Sequence, residues 1–199
     1  METRLLKADA PGAVEEAAAT LARGELVAVP TDTVYGLAAG HEHVRKLFTA
    51  KGRSADKRIP VLLSDAANLE ASAIVGPEAR ALAARFWPGP LTLILVAPRR
   101  GPIAFRVPNN DVARRLIASS GGGLPVTSAN RSGEPDAKTA QDVLVQLAGR
   151  IALVLDGGPV TGGVASTIVD CTTDPPRIQR EGAIPASVIE AALGAVVTR

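Results

Sequence analysis

The sequence predicts an α/β fold in which one domain is built on a mixed β-sheet. Three observations point there. Helical and strand-like stretches alternate along the whole chain. Some connections between strands are long enough for a helix and others are only short turns, so both parallel and antiparallel neighbours are expected. A 46% hydrophobic and 21% charged composition over 199 residues is that of a chain able to bury one substantial core.

Taken in order, residues 11–23 are rich in Ala and Glu, with Pro11 near the start and Gly24 just past the end, and read as a helix. LVAVP (26–30) is a buried strand. Residues 41–50 place Val44, Leu47 and Phe48 at helical spacing and stop near Gly52. IPVLLS (59–64) is a second strand, and Pro77 opens a helix running to 86. WPGP (87–90) is a turn, followed by the longest strand-like run, LTLILVAP (91–98), and then AFRVP (104–108). DVARRLIASS (111–120) is a helix with Asp111 as its expected N-cap, closed by Gly121–Gly123. LPVTSAN (124–130) runs from strand into loop, 139–147 is helical, and IALVLD (151–156) and STIVDC (166–171) are strands. RIQREG (177–182) is short and extended, and a last helix covers 185–194. About seven strands result, with no internal repeat or long linker, in a single domain over 1–199.

Composition excludes several classes. Cys171 is the sole cysteine, so no internal disulfide and no all-cysteine metal site can form. No apolar run reaches the roughly 18–20 residues that span a bilayer. METRLLKADAPG lacks the apolar core and small-residue cleavage site of a signal peptide, so a cytoplasmic protein is expected. A net charge of +2 permits an acidic ligand without demanding nucleic acid, and 3% aromatics leave little for stacking single-stranded bases.

Neither G-x-x-x-x-G-K-[ST] nor a strand-linked G-x-G-x-x-G is present. His41 and His43, the two histidines, sit at a polar helix start, which argues against a Ser–His–Asp site or a His-based metal site. Four segments exceed what folding alone requires. PTDTVYG (30–36) crowds three hydroxyls and a carboxylate after a strand, as a turn or a ligand site would. KGRSADKRIP (51–60) carries Lys51, Arg53, Lys57 and Arg58. A helix dipole accounts for Lys51, but the cations continue past Gly52 and match a polyphosphate. PVTSANRSGEP (125–135) gathers anion-binding donors in what is otherwise an ordinary polar loop. DGGPVTGGVASTIVD (156–170) sets four glycines before Ser166 and Thr167, for close approach to a ligand or for a moving lid.

Together with FWPGPLTLIL, FRVPNN and REGAI, these segments resemble, in order, the YrdC-like threonylcarbamoyl-AMP synthase family in its short, single-domain form. The resemblance covers roughly 10–190. It implies a twisted mixed sheet around a cationic groove and a nucleotidyltransferase reaction. In that reaction L-threonine, bicarbonate and ATP, with Mg²⁺ brought by ATP, give threonylcarbamoyl-adenylate and pyrophosphate. A partner transferase then modifies a tRNA adenosine. No protein side chain is implied as acid or base. Arg53, Lys57, Ser128, Asn130, Asp136 and Arg180 resemble the ATP side, with Lys51 beside them. Thr31, Thr33, Tyr35, Arg106 and Ser166 resemble the threonine side, with Arg106 on the carboxylate. The chain departs from the pattern at Arg58, an extra cation, at Asp136, where many relatives carry serine, and at Glu181, which replaces a proline. The 156–165 loop is expected to close over the adenylate. Two rivals remain: an RNA- or tRNA-binding factor using the same groove, and a synthase of another carbamoyl-adenylate.

Overall fold

The structure, a computed structural model, describes residues 2–55 and 57–194. Asp56 of the basic stretch, and the ends of the expected 1–199 domain, lie outside the described residues. Ten strands form one sheet: β1 (Arg4–Lys7), β2 (Val27–Val29), β3 (Gly36–Ala38), β4 (Val61–Leu63), β5 (Leu91–Ala97), β6 (Gly101–Arg106), β7 (Gly123–Ser128), β8 (Leu153–Asp156), β9 (Thr167–Asp170) and β10 (Arg177–Arg180). Their order is β1-β8-β2-β3-β7-β4-β6-β5-β9-β10. The helices are α1 (Ala13–Ala22), α2 (Arg45–Lys51), α3 (Pro77–Phe86), α4 (Asp111–Ser119), α5 (Ala140–Leu147) and α6 (Ala186–Leu193).

The sheet is mixed, as the two kinds of connection predict. β8 runs parallel to both β1 and β2, β4 parallel to β6, and β5 parallel to β9. The β2–β3, β3–β7, β4–β7, β5–β6 and β9–β10 pairs are antiparallel. None of the described helices is long and apolar enough to cross a membrane.

Ten strands replace the expected seven or so, chiefly because β1 and β3 have no counterpart in the sequence reading. β1 is a mostly exposed edge strand of four residues, and β3 is only three residues opening on glycine; neither shows a strand period. Two boundaries also differ. Asn110, not Asp111, caps α4, its Oδ1 accepting from the Ala113 N–H at 3.0 Å, and Gly123 belongs to β7 instead of the helix stop. Residues 41–43 form a 3₁₀ turn that precedes α2.

Strand alternation decides where the site lies. On the β8–β2–β3 side, Val27, Val29, Ala38, Leu153 and Leu155 pack with α1 and α4. Their sequence neighbours Ala28, Leu37 and Val154 pack with α2 and α5, so this half is covered on both faces. On the other half, Leu91, Leu93, Leu95, Phe105 and Val169 pack with α3 and α6. The alternate residues of those strands, Thr92, Ile94, Ala104, Arg106, Ile168 and Asp170, line an open groove. One half-sheet has a helical layer on a single face, and the groove is the face left bare.

Candidate functional site

The groove has a volume of about 680 Å³. Its rim comes from the β2–β3 connection, the chain after α2, the end of β7, and the segment around β9 and β10. Ten of the expected site residues line it: Thr31, Thr33, Tyr35, Arg53, Lys57, Arg106, Ser128, Asp136, Ser166 and Arg180. Arg58 lines it too, with its Nη1 on the Pro102 carbonyl at 2.9 Å.

The β2–β3 connection is a tight hydroxyl turn. Thr31 Oγ1 accepts from the Thr33 and Val34 N–H groups at 3.1 and 3.3 Å and donates to the Val34 carbonyl at 2.7 Å. The turn and a place on the groove wall therefore coexist in one segment. Thr33 Oγ1 also accepts from Arg106 Nη1 at 2.8 Å. Arg106, at the end of β6, is nine-tenths buried, with Nε on the Gly89 carbonyl at 2.9 Å and Nη2 on Asp32 Oδ1 at 2.5 Å. Burial weakens its hold on the proton and nearby Arg180 adds to that, while the Asp32 carboxylate acts against both. Three of the guanidinium's five N–H groups are engaged, which leaves one on each terminal nitrogen for a ligand.

Opposite, Arg180 donates to the Ser166 carbonyl through Nη2 at 2.7 Å and Nε at 3.2 Å. Ser166 Oγ lies 2.8 Å from Thr92 Oγ1, a buried hydroxyl that sequence reasoning missed because it sits inside an apolar strand. Arg180 is an exposed residue at the end of β10; partial burial of its guanidinium lowers its pKa from the ordinary value and the Asp136 charge opposes that.

Two expected site residues do not line the groove. Lys51, 3% exposed, stands behind it, and so does Asn130. The Lys51 ammonium donates to the Ser128 carbonyl, to the Asn130 carbonyl at 2.6 Å and to Asn130 Oδ1 at 3.0 Å. Ser128 Oγ in turn donates to Asn130 Oδ1 at 2.6 Å. Lys51 thus fixes the loop that presents Ser128, a task beyond complementing the helix dipole. Burial, with Arg53 nearby, pushes its pKa down to about 8, while Asp136 opposes the shift. Arg53 reaches Thr127 Oγ1 with Nη1 at 3.2 Å.

The glycine-rich stretch 157–165 is laced onto the hydroxyl turn. Gly162 and Gly163 N–H groups donate to the Asp32 and Thr33 carbonyls at 3.1 and 2.8 Å, and Val160 N–H donates to the Lys138 carbonyl at 2.9 Å. Tyr35 Oη donates to the Gly158 carbonyl at 2.7 Å and accepts from the Gly157 N–H at 3.2 Å. A Cβ on Gly162 would stand 2.5 Å from the Asp32 carbonyl oxygen, a contact only glycine avoids. Gly162→Ala is therefore expected to lift this strap. Hydrogen exchange at the Gly163 amide should quicken at least about tenfold, and unchanged exchange would mean the strap is not held there.

The family model for Sua5, YciO and YrdC, described as telomere recombination, matches residues 19–182. The chain is 41% identical over 197 residues to the threonylcarbamoyl-AMP synthase of Bacillus subtilis, covering 92% of this chain and 57% of that protein. With the threonylcarbamoyl-AMP synthase of Thiobacillus denitrificans it shares 34% identity over 168 residues, 78% of this chain and 89% of that one. The structure of P. abyssi Sua5 complexed with L-threonine superposes with a TM-score of 0.89 at 36% identity, over 100% of this chain and 62% of that one. The chain thus spans little more than half the length of the Bacillus and Pyrococcus proteins. By the extent of the family match and these identities, the chain belongs to the Sua5/YciO/YrdC family.

Proposed function

We propose that the groove makes threonylcarbamoyl-adenylate from L-threonine, bicarbonate and ATP and releases pyrophosphate. The observation that carries this reading is the meeting of two residue sets on one bare sheet face. Arg53, Lys57 and Arg58 form a cationic side suited to a triphosphate, and Thr31, Thr33, Arg106 and Ser166 form a compact hydroxyl and guanidinium side suited to a small hydroxy-amino acid. Relatives named threonylcarbamoyl-AMP synthase and a Sua5 complex with L-threonine support it.

The chemistry asks for position more than for a protein nucleophile. Bicarbonate takes up a proton and loses water to give CO2, and the neutral threonine amine adds to its carbon, breaking one C–O π bond and releasing a proton to leave a carbamate. A carbamate oxygen then forms a bond to the α-phosphorus as the bond to the β,γ-pyrophosphate breaks. Both nucleophiles belong to substrates, so the chain contributes orientation and charge stabilisation. Arg106 offers its two open N–H groups to the threonine carboxylate, and Ser166 and Thr33, which line the same groove, would read the hydroxyl. Ser128, held by Lys51 and Asn130, faces the nucleotide, with Arg180 and Asp136 on the same rim. Mg²⁺ is expected to arrive on the triphosphate and to offset part of its charge.

The product is a mixed anhydride that hydrolyses readily. The strap laced onto Thr33 is the element that would keep water from it, and a tRNA-directed transferase is the class of partner that would consume it. Pyrophosphate release is the test. It should require threonine and bicarbonate together with ATP, and should fall at least about tenfold when either is omitted. Release at full rate with ATP alone would end this reading.

A further inference from the structure

Among the described residues, five positive side chains face the groove: Arg53, Lys57, Arg58, Arg106 and Arg180. The proposed reaction, on which the following rests, brings two anions to them, a triphosphate and the single carboxylate of threonine. Coulomb attraction alone favours the polyphosphate at every one of these cations, because attraction grows with the ligand's charge. Arg180 lies near enough to Arg106 to disfavour its charge. Left uncompensated, the Arg106 guanidinium would extend the nucleotide-side cations, Arg180 among them, into the threonine side of the groove.

What stands behind Arg106 prevents that. Asp32 Oδ1 is 2.5 Å from Arg106 Nη2, and the two side chains are 10% and 8% exposed, a depth at which salt screens little. Asp32 is also locked. The same Oδ1 accepts from the Asn109 N–H at 3.1 Å, and the Asp32 carbonyl accepts from the Gly162 N–H at 3.1 Å. Its carboxylate is not among the groups lining the groove, so it acts through Arg106 and not on a ligand. We propose that Asp32 is a specificity-determining residue: it offsets enough of Arg106's charge to keep the triphosphate off that guanidinium, and reserves its two open N–H groups for one carboxylate. The groove is thereby divided into a polyanion end and a monoanion end.

Calorimetric titration of threonine, with and without saturating inorganic tripolyphosphate, reads this division directly. In the wild type, tripolyphosphate should change the threonine Kd by less than about twofold. In Asp32→Asn, which keeps an oxygen to accept from Arg106 and Asn109, threonine should bind at least as well in the absence of tripolyphosphate and about tenfold or more weakly in its presence. Asp32→Glu should restore the wild-type indifference. A role in folding alone would not create that competition. The proposal is overturned if Asp32→Asn is as indifferent to tripolyphosphate as the wild type, or if it loses threonine without it. Should the Asn variant fail to fold, arginine Nε–H resonances of the wild type decide. Tripolyphosphate should move those of Arg53 and Arg58 and leave Arg106 in place, and a shift at Arg106 sinks the idea. A wild type that binds no threonine under either condition refutes the threonine reading of the groove itself, and this proposal with it.

Discussion

Arg106→Lys raises the threonine KM at least about tenfold while the ATP KM stays within about twofold of wild type. The reason is geometric. The guanidinium reaches Gly89, Thr33 and Asp32 at once and still presents two N–H groups to the groove. An ammonium on a lysine stem keeps the charge that Asp32 needs, so no buried carboxylate is left bare, but it cannot span those three partners and also fork around a carboxylate. Loss of a desolvated, charge-assisted contact costs about 1.5–3 kcal/mol, and the lower figure already exceeds one decade in affinity. Initial rates of pyrophosphate release against threonine, at fixed ATP and bicarbonate, give the number. An unchanged KM would show that another group holds the carboxylate.

Lys51→Met is expected to be as severe, on the nucleotide side. Methionine fills the volume but donates nothing, so the Ser128 and Asn130 carbonyls and Asn130 Oδ1 lose a shared donor in a buried place. The 128–130 loop then settles elsewhere, and a misplacement of about 1 Å can cost about a hundredfold in kcat/KM. The effect should fall on ATP, with the threonine KM little changed, because Lys51 touches nothing on the threonine side. The ammonium is present below about pH 8 and is lost as pH rises through that value, so the wild type should move toward the Met variant above it, though not reach it, because the neutral amine keeps two N–H donors. Global stability has the opposite sign. The unfolded chain keeps the proton up to the ordinary value of 10.5, so this group's contribution is full above 10.5 and is lost as pH falls through about 8. A wild-type-to-variant ratio of kcat/KM for ATP that does not change across pH 8 would remove Lys51 from this role.

The helices were the most legible part of the fold, because their ends are written in side chains. Pro77 starts α3 where expected, and Gly24 and Gly52, both at positive φ, follow α1 and α2. β1 and β3 were illegible because three or four residues at an edge, or against a close-packed glycine, show no period. For the site, the groove-lining hydroxyls and cations announced themselves as residues with no folding task after a strand or a helix. Thr92, the pairing of Asp32 with Arg106 and the loop-holding task of Lys51 did not. Each depends on which side chain stands behind another, across separations of 74 to 79 residues, and no local spacing carries that. Lys51 in particular looks on paper like any cation closing a helix, and only burial reveals what its ammonium holds.

The lacing of Tyr35 into the glycine strap has an optical consequence. Tyr35 is the chain's one tyrosine and Trp87 its one tryptophan. Burial, with the charges of Asp156 and Asp142 adding and the Gly157 N–H opposing, pushes the phenol up to about 12. Trp87 belongs to the α3–α6 cluster, with its indole N–H on the Leu91 carbonyl at 2.7 Å. Ultraviolet difference absorbance in the phenolate band therefore watches a single hydroxyl, and that hydroxyl is at the buckle. Native protein carries its own spectroscopic gauge of the latch, with an indole elsewhere in the molecule as internal reference and no dye or label to add.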